Sequence, residues 1–84
     1  MSYEKVKQAN SLTIGAKQTK KAIEQGNATR VFVAEDADPR VIEPIIKLCK
    51  ENGIAAERVD SMKKLGKACG IEVGAATAAI LKEM

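Results

Sequence analysis

Leu12-Thr13-Ile14-Gly15-Ala16-Lys17-Gln18-Thr19-Lys20-Lys21-Ala22-Ile23-Glu24-Gln25-Gly26, continued by Arg30-Val31-Phe32-Val33-Ala34, decides the fold class. Leu12-Thr13-Ile14 alternates in polarity and reads as a short strand that Gly15 breaks. Residues 16–25 read as a helix with Ala16, Thr19, Ala22 and Ile23 on its inward face and Gly26 at its C-terminal stop. Val31-Phe32-Val33 is a continuous apolar run, the pattern of a strand buried on both faces. Such a strand needs helices above and below it, which makes the chain α/β.

The flanks continue the alternation. Ser2 reads as the cap of a short helix reaching residue 9, with Tyr3, Val6 and Ala9 on one face. Asp38-Pro39 is a helix start, and Ile42, Ile45, Ile46 and Cys49 follow at i, i+3, i+4 and i+7 before Gly53 ends the helix. Pro44 lacks an amide donor, so this helix is expected to kink near residues 40–43 or to begin properly only after Pro44. Ala55 to Val59 reads as a third strand. Ser61 caps a fourth helix holding Leu65, Ala68 and Cys69, stopped by Gly70. Ala75 to Leu81 is ambiguous: its alanines favour helix, but Gly74 and the preceding helix stop favour a strand, the reading taken here. The order α-β-α-β-α-β-α-β over residues 1–84, without linker or repeat, makes one domain with a sheet sandwiched between helices.

Composition narrows the chemistry. Eighty-four residues, 45% of them hydrophobic, are enough for one core, and with one Phe, one Tyr and no Trp that core is aliphatic. There is no histidine, so histidine-dependent triads and histidine metal sites are impossible within one chain. Cys49 and Cys69 form no CxxC pair and cannot complete a zinc site; buried reduced thiols are the simplest reading, although spacing alone does not exclude a disulfide. No apolar run approaches the roughly 18 residues of a membrane span. The opening Met-Ser-Tyr-Glu-Lys is not a secretory segment, which leads to the expectation of a reducing cytoplasm.

The net charge of +3 is unremarkable in size and uneven in placement. Lys17, Lys20 and Lys21 fall in residues 15–21 and Lys63, Lys64 and Lys67 in residues 61–70, with no acid in either window. The ordinary explanation is two solvated helix faces. Brought together by the fold, the windows would make a patch of about +6 that attracts phosphate. The glycines at 66, 70 and 74 match neither the phosphate-loop nor the dinucleotide pattern. Glu35, Asp36 and Asp38 cluster after the second strand, where a magnesium site is conceivable; with no partner nucleophile and with Asp38 placed to cap, they do not argue for catalysis.

The first window spans a strand end, a glycine turn and a helix start, where free N–H groups and the positive end of the helix dipole face outward. Acids suit a first turn; here Lys17, Gln18 and Lys21 lie in the first turn and a half, and three lysines and no acid in residues 15–21 run against that preference, a hint of function. In the second window Ile71-Glu72-Val73 stands between two glycines. Ile71 and Val73 either anchor this loop to the core or offer apolar contact to an unstacked base.

Gly15-Ala16-Lys17-Gln18-Thr19-Lys20-Lys21, Ala34-Glu35-Asp36-Ala37-Asp38-Pro39 and Leu65-Gly66-Lys67-Ala68-Cys69-Gly70-Ile71-Glu72-Val73-Gly74-Ala75, in that order, resemble the kink-turn RNA-binding ribosomal-protein family, the L-seven-Ae and L-thirty-e group. The resemblance covers essentially the whole chain and is nearest to the small bacterial L-seven-Ae-like proteins. It implies a three-layer α/β/α sandwich with a four-stranded mixed sheet. It implies a non-enzymatic, cofactor-free, monomeric protein of the cytoplasm or the ribosome. Its partner would be structured RNA: a kink-turn with tandem sheared G·A pairs beside a bulge, in ribosomal RNA or a riboswitch. The strand-to-helix turn would enter the groove at the G·A pairs, and the Ile-Glu-Val loop would cover the extruded nucleotide. The RNA-binding residues so implied are Gly15, Ala16, Lys17, Gln18, Lys20, Lys21, Ile71, Glu72 and Val73. Lys17-Gln18 follows the L-thirty-e form where the archaeal type has Asn-Glu, and Met62 stands where that type has lysine. The alternative is a module that docks on the ribosome or an assembly factor through a protein partner.

Overall fold

In the computed structural model, which describes residues 3–82, eight elements alternate: α1 (Tyr3–Gln8), β1 (Leu12–Ile14), α2 (Ala16–Glu24), β2 (Ala28–Ala34), α3 (Pro39–Glu51), β3 (Ala55–Val59), α4 (Met62–Ala68) and β4 (Thr77–Leu81). The cap read for Ser2 lies outside the described residues. The strands form one sheet in the order β1-β4-β2-β3. β2 and β3 run parallel, and β4 runs antiparallel to β1 and β2. α2 and α3 pack together on one face and α1 and α4 on the other, giving a three-layer sandwich around a mixed sheet.

The apolar run in β2 sits where its pattern demands. Val31, Phe32, Val33 and Ala34 have no accessible surface, because strands flank them and helices cover both faces. β4 is the other central strand. Thr77, Ala78 and Ala79 are fully buried, and the Thr77 hydroxyl donates to the Phe32 carbonyl at 2.7 Å. The helix preference of alanine, a fraction of a kcal/mol per residue, is overridden by two ladders of backbone hydrogen bonds.

The boundaries differ from the sequence reading at three places. β4 begins at Thr77 rather than Ala75, because the Ala75 N–H donates to the Met62 carbonyl (3.0 Å) and the Ala76 carbonyl accepts from Ala34 N–H (2.8 Å). β2 begins at Ala28, two residues earlier than expected, and pairs with β4 through a register shift between Ala28 and Arg30; the Thr29 hydroxyl there donates to the Ile80 carbonyl at 3.1 Å. α3 starts at Pro39 and runs through Pro44, so it does not wait for that proline. The acceptor that Pro44 leaves without its helical donor is the Arg40 carbonyl, in an exposed first turn where water can serve it.

α2, α3 and α4 end alike. Gly26, Gly53 and Gly70 take positive φ, and the residue after each donates to the carbonyl five residues earlier: Asn27 to Ala22, Ile54 to Cys49 and Ile71 to Gly66. Cys49 is buried in α3 and Cys69 half-buried at the end of α4; both are free thiols, and burial pushes the pKa of each upward. α1 is tied down by polar contacts: the Tyr3 hydroxyl donates to Asp60 and accepts from the Ser61 N–H, and Lys5 pairs with Glu57 at 3.4 Å.

Candidate nucleic-acid interface

The strand directions bring the ends of β1, β2 and β3 and the start of β4 to one end of the sheet. Three helices begin there, and they treat their free amides differently. At α3 the Asp38 carboxylate accepts from the Arg40 N–H (2.9 Å) and pairs with the Arg40 guanidinium (2.8 Å), which holds the Asp38 pKa below its ordinary value. At α4 the Ser61 hydroxyl accepts from Lys64 N–H at 3.1 Å, and the Asp36 carboxylate reaches across from the end of β2 to accept from Met62 N–H at 2.8 Å.

α2 has no such partner. Its cap position is Gly15, at φ 101° and ψ 155°, a conformation that side chains rarely tolerate. The Gly15 carbonyl takes the first helical bond, from Thr19 N–H, at 2.9 Å. Among the described residues nothing accepts from the N–H groups of Ala16, Lys17 or Gln18. Lys17, Gln18, Lys20 and Lys21 are exposed around this helix start, while Gly15 and Ala16 are half-buried. Gln18 and Lys21 also line a hollow of about 140 Å³ beside Thr13 of β1.

The segment between α4 and β4 reaches the same end. The Gly15 N–H donates to the Thr77 carbonyl at 2.9 Å, so the turn at α2 abuts the residue to which that segment leads. Ile71 is half-buried against the core, Glu72 is exposed, and Val73 is 70% exposed, the more exposed of the two large hydrophobic side chains, with Val41, that face solvent among the described residues. The backbone behind Val73 is fixed. A Cβ at Gly66 would lie 2.0 Å from the Val73 carbonyl oxygen, so only glycine at position 66 lets the segment lie this close to α4. Asp36 acts on the same joint, because the Met62 whose N–H it holds gives its carbonyl to Ala75.

The two lysine windows do not merge into one patch. α2 and α4 cover opposite faces of the sheet, so the windows approach only at the strand ends. Lys64 is ion-paired with Asp60 at 3.0 Å. Lys64 and Lys67 line a separate groove of about 250 Å³ with Tyr3, Lys7 and Ala68. The acids after β2 are used structurally: Asp36 and Asp38 cap helices, and among the described residues no three Cys, Asp or Glu side chains gather as a metal site. The sequence reading missed the Asp36 cap and the place of Lys7. The spacing of Asp36 carried no signal for a helix that begins 26 residues later.

A family model described as "Ribosomal protein L7Ae/L30e/S12e/Gadd45 family" matches residues 2–84. The chain belongs to this family. Among L7Ae-family relatives, the "RNA-binding protein YbxF" of Geobacillus stearothermophilus is 56% identical over 82 residues, covering 98% of this chain and 100% of that protein. The "Large ribosomal subunit protein eL8" of Halobacterium salinarum is 42% identical over 81 residues, 95% of this chain and 68% of that one. A solved structure, "Giardia lamblia 15.5kD RNA binding protein", superposes with a TM-score of 0.86 at 27% identity over 96% of this chain and 68% of its own.

Proposed function

We propose that this L7Ae-family chain is a non-enzymatic RNA-binding protein that recognises and stabilises kink-turn RNA. The observation that carries the reading is the uncapped start of α2, with free amides and Lys17, Lys20 and Lys21, beside the exposed Val73 at the same sheet end. Guanine O6 and N7 are acceptors, which suits Lys21 and the Gln18 amide at sheared G·A pairs. Gly15 lets the backbone approach closely, and Lys17 and Lys20 lie where phosphates would pass. Val73 would cover a splayed nucleotide, with Glu72 at the tip and Ile71 anchoring the turn to the core. The names of the relatives, RNA-binding and ribosomal, support the same class of partner.

A titration of the protein against a kink-turn duplex and its G·A-disrupted twin tests this. The expected result is much tighter binding to the intact motif, with affinity falling steeply as salt rises by a log–log slope of about −0.7 to −0.9 per phosphate contact. Lys20→Ala weakens both RNAs alike, whereas Lys21→Ala narrows the gap between them. Val73→Ala lowers affinity with little change in salt slope or stability. Equal affinity for both RNAs in the wild type defeats the reading.

A further inference from the structure

We propose that the groove between α1 and α4 is a second phosphate site, one that holds the sugar-phosphate backbone of RNA continuing past the sheet end. Tyr3, Lys7, Lys64, Lys67 and Ala68 line a hollow of about 250 Å³ there, on the face of the sheet opposite α2. Its cations are unequally used. Lys64 is neutralised by Asp60 at 3.0 Å, and Lys5, two residues before Lys7, by Glu57 at 3.4 Å. Among the described residues no carboxylate pairs with Lys7 or Lys67, although both face the one hollow. Two unpaired ammonium groups that face one hollow repel each other, and an anion held between them relieves that repulsion.

The position of the groove selects its occupant. It opens at the first turn of α4, where the Tyr3 hydroxyl accepts from Ser61 N–H, next to the Met62 that anchors the segment carrying Val73. α4 has seven residues and is therefore about 10 Å long, so the groove and the proposed base-reading end lie within one short run of backbone. The lining suits phosphate and not bases or an apolar peptide. Lysine is a compact charge without the planar fork of arginine, the Tyr3 hydroxyl is already engaged with Asp60, and the apolar floor is little more than Ala68.

The inference rests on the RNA-binding reading above, and the experiment separates the two. Wild type, Lys7→Gln/Lys67→Gln and the charge-matched control Lys47→Gln/Lys50→Gln, on exposed positions of α3, are titrated against a kink-turn RNA with long flanking stems and the same RNA with trimmed stems. The groove variant is expected to lose about tenfold on the long RNA and little on the trimmed one, with a salt slope on the long RNA shallower by about 1.4–1.8, two contacts' worth. The control keeps wild-type affinity for both. Equal losses on the two RNAs, no loss on either, or an equal loss in the control overturns the groove. Both RNAs are also titrated with their G·A pairs disrupted: wild-type affinity indifferent to that disruption overturns the kink-turn reading alone, because the stem-length dependence of the groove variant is still read on the disrupted pair.

Discussion

α2 and α4 start at the same end of the same sheet and solve the problem of their free amides in opposite ways. α4 is closed: the Ser61 hydroxyl takes Lys64 N–H, the Asp36 carboxylate takes Met62 N–H, and Met62 in turn holds Ala75. α2 is open: a glycine stands at the cap and no side chain accepts from its first amides, while its first turn, like that of α4, holds lysine and no acid. A cap is worth about 1 kcal/mol, so α2 forgoes stability that α4 takes from Ser61 and Asp36. The difference teaches where to look for function. The closed helix start is scaffold for the segment packed on it, and the open one keeps its donors for something outside the chain.

Two glycines give the largest effects and separate the two ends most cleanly. Gly66→Ala drives a Cβ to 2.0 Å from the Val73 carbonyl oxygen, a backbone atom that moves only with the whole segment. It should cost about 3 kcal/mol in urea unfolding, the upper range for overpacking, and displace Val73. Gly15→Ala meets nothing within 4 Å but must hold φ 101°, so the strain is conformational, about 2 kcal/mol. If Gly66→Ala melts like wild type, α4 does not fix the segment.

Asp36→Ala should come next, at about 1 kcal/mol, the value of an N-terminal cap. Asp36→Asn keeps the acceptor for Met62 N–H and should recover most of the loss. Recovery by Asn separates the hydrogen bond from the charge, whereas equal losses in both variants would make the charge itself the stabilising element.

Lys17→Glu inverts the logic at α2. An acid in the first turn faces the positive end of the dipole and stands four residues before Lys21, so the free protein should gain about 0.5–1 kcal/mol in a urea melt. Kink-turn affinity should fall at least about tenfold, since an attractive charge is replaced by a repulsive one. Gain of stability with loss of binding is the signature of a site kept open at a cost. A variant that loses stability would show that Lys17 is structural.

Most of the fold was legible because its signals are local. Val31-Phe32-Val33, the helical spacing of Ile42, Ile45 and Cys49, the caps Asp38 and Ser61 and the stops Gly26, Gly53 and Gly70 each act within a few residues. The errors came from non-local pairing. Ala28 joins β2 because Leu81 is opposite it, and Ala75 leaves β4 because Met62 claims its amide. The placement of the candidate site divides in the same way. The turn at Gly15 with its lysines can be read from one stretch of chain, but the supposed single patch splits because the sheet separates α2 from α4. The Asp36 cap and the company of Lys7 with Lys67 depend on which helix packs where.

The smallest effect concerns the closed end and depends on pH. The Tyr3 hydroxyl donates to Asp60, and Lys64 completes the cluster at 3.0 Å. Hydrogen bonding from Tyr3, and then from Lys64, holds the Asp60 carboxyl below its ordinary value. Burial first, and then the bond to Asp60, raises the Tyr3 phenol. A lowered carboxylate stabilises the fold above its unfolded pKa and stops doing so as pH falls through the lowered folded value. A raised phenol stabilises below its unfolded pKa and stops as pH rises through the raised folded value. The melting difference between wild type and Tyr3→Phe should therefore be flat between about pH 5 and 9 and shrink on both sides. Thermal melts from about pH 2 to pH 11, beyond both ends of that plateau, decide it. A difference that stays constant into strong acid would mean that Asp60 contributes nothing through Tyr3, and that α1 is held to α4 by the packing of the ring alone.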